Sequence, residues 1–375
     1  MIGEKTKMNN SNFTLNSENL LKLIDMDKYK GIRNISSIIS KDMKNTSYKL
    51  ALLRAFCDIS EKFFNCIDLS HKDKAGIPID FVADLWILYY WEFINSDKFF
   101  PQRRGESPES FRKIAFRNEL TDFVEKYRDS GGLSGFYNDY INNKVQFPKL
   151  YNKLKDKLKN TIIKGPVFYS GNYNGENPFN YSNNQIWMDS ELWYEITAFN
   201  YLIRESVILK WVEFVREISE LTIGAGTILE KLIINPVHER DVSNARDVFM
   251  KLDDIKCVWT HGSIKKFEVD HIIPFSLWKN NDLWNLLPTR PDVNNRKRDK
   301  LPTNKLLISS KDLIIHYWQI LEKDLPIRFL QEVNKFNGNF KDEYMIKNWE
   351  NITFKNLVKS IEYTAIQRGC ERWEA

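Results

Sequence analysis

Between Lys266 and Pro302 the residues dictate local structure more tightly than anywhere else in the chain. Phe267–Ile273 reads as a strand, and Pro274, with no amide to give to a ladder, ends it. A loop of about ten residues follows, and Asn285–Leu287 reads as a second short strand. Pro291 suits the first turn of a helix, Asp292 complements the positive end of its dipole, and Pro302 stops it. The predicted order is strand, loop, strand, helix.

The polar residues of this segment define a chemistry. Asp270 and His271 are adjacent on an extended chain, so by themselves they point to opposite faces, and distortion at the strand end before Pro274 is needed to turn both toward one cleft. Asn294 falls in the first turn of the helix, facing back to the strands. Lys297 and Arg298 follow three and four residues later, on what is expected to be one helix face. Together these residues offer oxygen ligands for a hard cation, a neutral imidazole as base, and basic groups for a phosphate, which are the parts phosphodiester hydrolysis requires. Asn294 and Asn295 both qualify as the amide.

The segment resembles the HNH, or ββα-metal, nuclease family. The HNH domain of Cas9 shares the pattern Val-Asp-His-Ile-x-Pro-x-Ser, here Val269 to Ser276, then an Asn fourteen residues after the His, here Asn285, and an Asn-x-x-Lys, here Asn294 to Lys297. The resemblance covers about 50 residues and favours Asn294 over Asn295. It implies that His271 is the general base, that Asp270 and Asn294 hold a Mg²⁺ or Mn²⁺ ion, and that Asn285 pins the loop and orients His271 without touching metal. Lys297 joins His271 and Asn285 in the expected catalytic set. Arg290, Arg296, Arg298 and Lys300 are expected to contact nucleic acid, although a solvated helix face balanced by Asp292 and Asp299 is the bland alternative. The flanking Cys257-Val-Trp-Thr, Phe275-Ser-Leu-Trp278 and Arg204 to Trp211 resemble bacterial HNH proteins of restriction and anti-phage defence. Many HNH proteins add two Cys-x-x-Cys pairs for a structural zinc. Here only Cys257 and His261 stand in such a place, so no structural zinc is expected, with Trp259, Trp278 and Trp284 packing instead.

The remainder reads as a helical body. With 24 Phe, 16 Tyr and 11 Trp, the chain has ample material for a buried core. Apolar spacing predicts a helix over Tyr48–Phe64 and a buried one over Asp80–Asn95, whose aromatic residues form either a core or a base-stacking platform, the core being favoured. Further helices are expected at 109–128, 133–143, 147–160, 244–252, 309–336 and 354–368, a short one near Leu20–Met26, and a long one from Ser190 to about Leu221. Val167–Tyr169 and Gln185–Met188 are expected to pair as a hairpin. Four scattered cysteines and the absence of an apolar leader or a span of about 20 apolar residues point to a reduced, cytoplasmic protein away from membranes. The net charge of +5 permits nucleic-acid binding without demanding it.

The expected fold is α+β: a mainly helical region over 1–235 for target or partner recognition, a connecting helix over 236–254, the ββα-metal unit over 255–305, and helices packing on it over 306–375. The expected activity is cleavage of DNA, most readily double-stranded, with RNA open, by a chain that works alone, as a homodimer, or with partners from a defence operon. The rival from another class is a nucleic-acid-binding protein with a silent HNH fold.

Overall fold

The computed structural model describes residues 30–141, 144–171, 177–233, 239–338 and 347–375. The expected helix near Leu20–Met26 lies outside them.

The first hydrophobic core runs from Ile35 to Leu232. Helices α1 (Lys30–Ser40) and α2 (Tyr48–Lys62) lead to strand β1 (Lys74–Pro78) and α3 (Ile79–Ile94). α3 is apolar nearly all round, and Trp86, Tyr90, Trp91 and Phe93 are buried in it. Those rings are core and not a stacking platform. Helices α4 (Arg117–Tyr127), α5 (Gly132–Ile141) and α6 (Pro148–Ile162) pack around α3.

A hairpin follows, with different partners from those expected. β2 (Asn180–Ser182) pairs antiparallel with β3 (Gln185–Asp189), and β1 adds to the far edge of β3. Asn183 and Asn184 both take positive φ, as a two-residue turn between twisted strands requires. Val167–Tyr169 is not a strand, because a π-helical turn at Ile163–Val167 extends α6 through it. The expected long helix from Ser190 is two, α7 (Ser190–Ala198) and α8 (Asn200–Ile218), broken where Phe199 leaves helical dihedrals. Helix α9 (Ala225–Ile233) closes the region.

The second core runs from Ala245 to Trp373. It contains α10 (Ser243–Phe249), β4 (Glu268–His271), a single turn α11 (Phe275–Trp278), β5 (Leu286–Thr289), α12 (Pro291–Lys297), β6 (Leu301–Pro302), α13 (Asn304–Asp324), α14 (Pro326–Phe336), α15 (Trp349–Arg368) and β7 (Arg372–Trp373). β4 and β5 are antiparallel, with Asp270 opposite Leu287 and His271 opposite Leu286. β6 pairs in parallel with β7, so the chain end ties back to the residues after α12. Pro326 splits the helix expected over 309–336 into α13 and α14. Trp259, Trp278 and Trp284 are buried in this core, and the Trp318 indole donates to the Trp284 carbonyl at 2.8 Å. α15 also reaches the first core, where Gln367 donates to the Ser60 carbonyl and Arg368 pairs with Glu61. Among the described residues no helix is long and apolar enough to cross a membrane.

Candidate active site

β4 presents alternate residues to α12. Glu268 and Asp270 share one side of the strand, and each meets a residue of the helix that returns across it. The Asn294 amide donates to Glu268 Oε2 at 2.6 Å. Three residues along the same helix face, the Lys297 ammonium lies 3.1 Å from Asp270 Oδ2 and donates to the His271 carbonyl at 2.6 Å. The Trp259 indole donates to Asp270 Oδ2 at 3.2 Å.

His271 is directed elsewhere, toward the loop after the strand. Its Nε2 lies 3.1 Å from Asn281 Oδ1, while the Asn281 amide group donates to the Glu239 carbonyl at 2.9 Å. That second bond fixes the Asn281 oxygen as the group facing the ring. Nε2 therefore carries the proton and donates, leaving Nδ1 as the basic nitrogen. Burial pushes the imidazole down to about 4, outweighing the support of Asn281, so the ring is neutral near pH 7.

Asn285 is wholly buried and closes the loop. Its Oδ1 accepts from the Ile273 amide at 2.8 Å and its Nδ2 donates to the Ile273 carbonyl at 3.0 Å. It ends a 3₁₀ turn, Leu283–Asn285, one residue before the strand in which it was expected.

The basic residues divide differently from the expectation. Lys297 and Arg298 do not share a face: Lys297 is fully buried, while Arg298 leaves the helix at positive φ and is exposed. Lys297 is thus a partner of Asp270 and is not placed to meet a phosphate. Burial holds its ammonium below the usual lysine range, against the pull of Asp270. Arg290 forks onto Asp292 at 2.5 and 2.8 Å, Arg296 lies 3.7 Å from the same carboxylate, and Lys300 pairs with Glu371 at 2.7 Å. Such surface pairs are weak and screened by solvent, so the cations remain exchangeable. Cys257 is buried against the Thr289 hydroxyl, and His261 faces Ser310.

Three participants escaped the sequence reading. Glu268 was legible as the residue two before Asp270, hence on its side of the strand. Asn281 sits in a loop with no periodic signal. Arg240 lies in the connecting segment, is exposed, and donates to the Val269 carbonyl at 2.8 Å, a cation brought beside β4 by the fold alone.

HNH nucleases generally use a divalent metal. The residues here fit a hard cation by their chemistry: Asp270 and Glu268 supply carboxylates, Asn294 an amide oxygen, and the Lys297 ammonium already rests on Asp270 as a cation would. Among the described residues no three of His, Cys, Asp and Glu cluster as a ready metal site.

Residues 28–232 match the family model described as domain of unknown function (DUF8808), and residues 259–303 match one described as HNH endonuclease. No curated protein and no solved structure matches the chain. The first match spans more than half of the chain, so the protein belongs to the DUF8808 family, and it carries an HNH family domain behind the region that defines that family.

Proposed function

We propose that this protein is a metal-dependent endonuclease that hydrolyses DNA phosphodiester bonds, with its centre on β4 and α12. The observation that carries the reading is an oriented imidazole at His271 on the same strand as the oxygen donors Asp270 and Glu268, with Asn294 on the helix that crosses that strand. His271 Nδ1 accepts a proton from water as the water oxygen attacks phosphorus, and the bond from phosphorus to the 3′-oxygen breaks, leaving a 5′-phosphate. A divalent ion held by Asp270 and Asn294 would stabilise the charge that develops on the phosphate and the leaving oxygen. Asn281 keeps the proton on Nε2, and Asn285 holds residues 271–273 in register with β5. Exposed Arg290, Arg296, Arg298 and Arg240, with the half-buried Lys300, form the cationic rim on which a phosphate backbone would lie. The HNH family match supports the class of reaction.

The residues before the nuclease unit are proposed to select the target. The proposed division into 1–235, a connector over 236–254, and 255–305 with its following helices is supported by one hydrophobic core ending at Leu232 and a second that starts at Ala245, inside the connector. A role in defence or restriction in the cytoplasm, alone or as a homodimer, remains part of this proposal. One observation favours partner or substrate gating: Asp270 and His271 are only 4% and 2% exposed.

The test is cleavage of supercoiled plasmid with Mg²⁺ or Mn²⁺, beside RNA and single-stranded DNA. Wild-type protein should nick or linearise the plasmid, and His271→Ala should not. A variant that cuts as fast as wild type overturns the assignment.

A further inference from the structure

Asn281 orients His271, and its backbone is held from a third element. On α14 the side chains of Arg328 and Glu332 lie one turn apart and pair at 2.7 Å. Glu332 Oε2 accepts from the Leu283 amide at 2.6 Å, and Arg328 Nη2 donates to the Asn281 carbonyl at 3.3 Å. Two backbone groups that bracket Asp282 are thus fixed by one pair of contacting side chains. Glu332 is 4% exposed, a placement that costs free energy unless its bonds are kept.

The other end of α14 is fastened to the helical region. The Asn65 amide donates to the Phe336 carbonyl at 3.2 Å, and the Lys335 ammonium lies 4.6 Å from the centre of the Tyr140 ring. Gly338, at positive φ, comes so close to the Asn65 carbonyl that a Cβ would stand 2.4 Å from its oxygen. Arg328, Glu332 and Lys335 follow the spacing of one helix face, so a single short helix touches both the loop that holds His271 and the body that precedes it.

We propose that Arg328 and Glu332 are positioning residues for His271, acting through the backbone of Asn281 and Leu283, and that α14 makes this hold depend on its seat against the helical region. The proposal rests on His271 being the base. Neither side chain touches the reacting atoms. Their loss frees the Asn281 carbonyl and the Leu283 amide, the Asn281 side chain drifts from Nε2, and the ring loses its fixed tautomer.

The test combines nuclease kinetics with nitrogen NMR of the histidine rings in the full-length protein, the His271 signals being assigned with His271→Ala. Glu332→Ala should shift the His271 ring signals in the same direction as Asn281→Ala and lower kcat at least tenfold with KM unchanged. Glu332→Gln keeps an acceptor for the Leu283 amide and should restore most of both. Because the path runs through Asn281, the Asn281→Ala/Glu332→Ala double variant should cut no slower than Asn281→Ala. Wild-type ring signals and rates in Glu332→Ala, or two lesions that multiply, overturn the proposal. A wild-type protein that cuts no nucleic acid refutes the nuclease reading instead, and agreement or disagreement of the ring signals in the two single variants then decides the positioning role by itself.

Discussion

Replacing Lys297 by methionine should separate the stability of the centre from its affinity for metal. The Lys297 ammonium is fully buried, lies 3.1 Å from Asp270 Oδ2 and 3.3 Å from Oδ1, and donates to the His271 carbonyl at 2.6 Å. The Asp270 side chain is only 6% exposed. Methionine fills most of the volume but leaves a buried carboxylate with the Trp259 indole as its remaining side-chain hydrogen-bond donor among the described residues. Breaking one side of a buried ion pair costs about 3–5 kcal/mol. At roughly 2 °C per kcal/mol for a protein of this size, the melting temperature in EDTA should fall by about 6–10 °C. A divalent ion can take the place the ammonium left. Calorimetry over a Mg²⁺ series should therefore recover much of the loss in Lys297→Met, and the variant should bind the ion more tightly than wild type, in which Lys297 competes for the same oxygens. A melting temperature within about 2 °C of wild type in EDTA, or a loss that no divalent ion restores, refutes the reasoning.

Two further outcomes follow from the same geometry. Asn285→Ala removes both hydrogen bonds to Ile273 and strands a buried amide and carbonyl; at about 1–3 kcal/mol each, urea unfolding should show a loss of roughly 2–6 kcal/mol, and a loss under 1 kcal/mol contradicts the pinning role. Burial, with the nearby charge of Asp282, raises the Glu332 carboxyl from 4.5 to about 8 against the pull of Arg328. The folded state thus holds this proton more firmly than the unfolded chain. The stability it contributes is complete below about pH 4.5 and is lost as pH rises through about 8. Wild-type protein should accordingly lose stability relative to Glu332→Gln between pH 5 and 8.5, and a difference in melting temperature that does not change with pH contradicts this account.

The HNH domain was legible because its constraints are local. Pro291 opens α12 as expected, but β4 ends at His271 and α12 at Lys297, short of the stops expected at Pro274 and Pro302, and Pro302 itself lies in β6. Strand alternation put Glu268 on the side of Asp270. The aromatic residues of α3 were readable as core because an element apolar on every side has nowhere else to go. β1 was not readable: Lys74-Ala-Gly-Ile-Pro has no alternation, and it becomes a strand because β3 offers it an edge. Gly76 there leaves no room for a Cβ beside Trp187. The break at Phe199 was equally hidden, since no Gly or Pro marks it.

The sequence by itself determined the residue types and spacing of the centre, Asp270, His271, Asn285 and Asn294 with Lys297 behind them, because a strand and a helix place residues by fixed periods. Only the tertiary structure decided what each one touches. It turned Lys297 inward to Asp270, brought Asn281 from a loop onto His271, and set α14 between that loop and the helical region. Those contacts join residues from ten to more than 270 positions apart, where local periodicity carries no information and burial selects the partner.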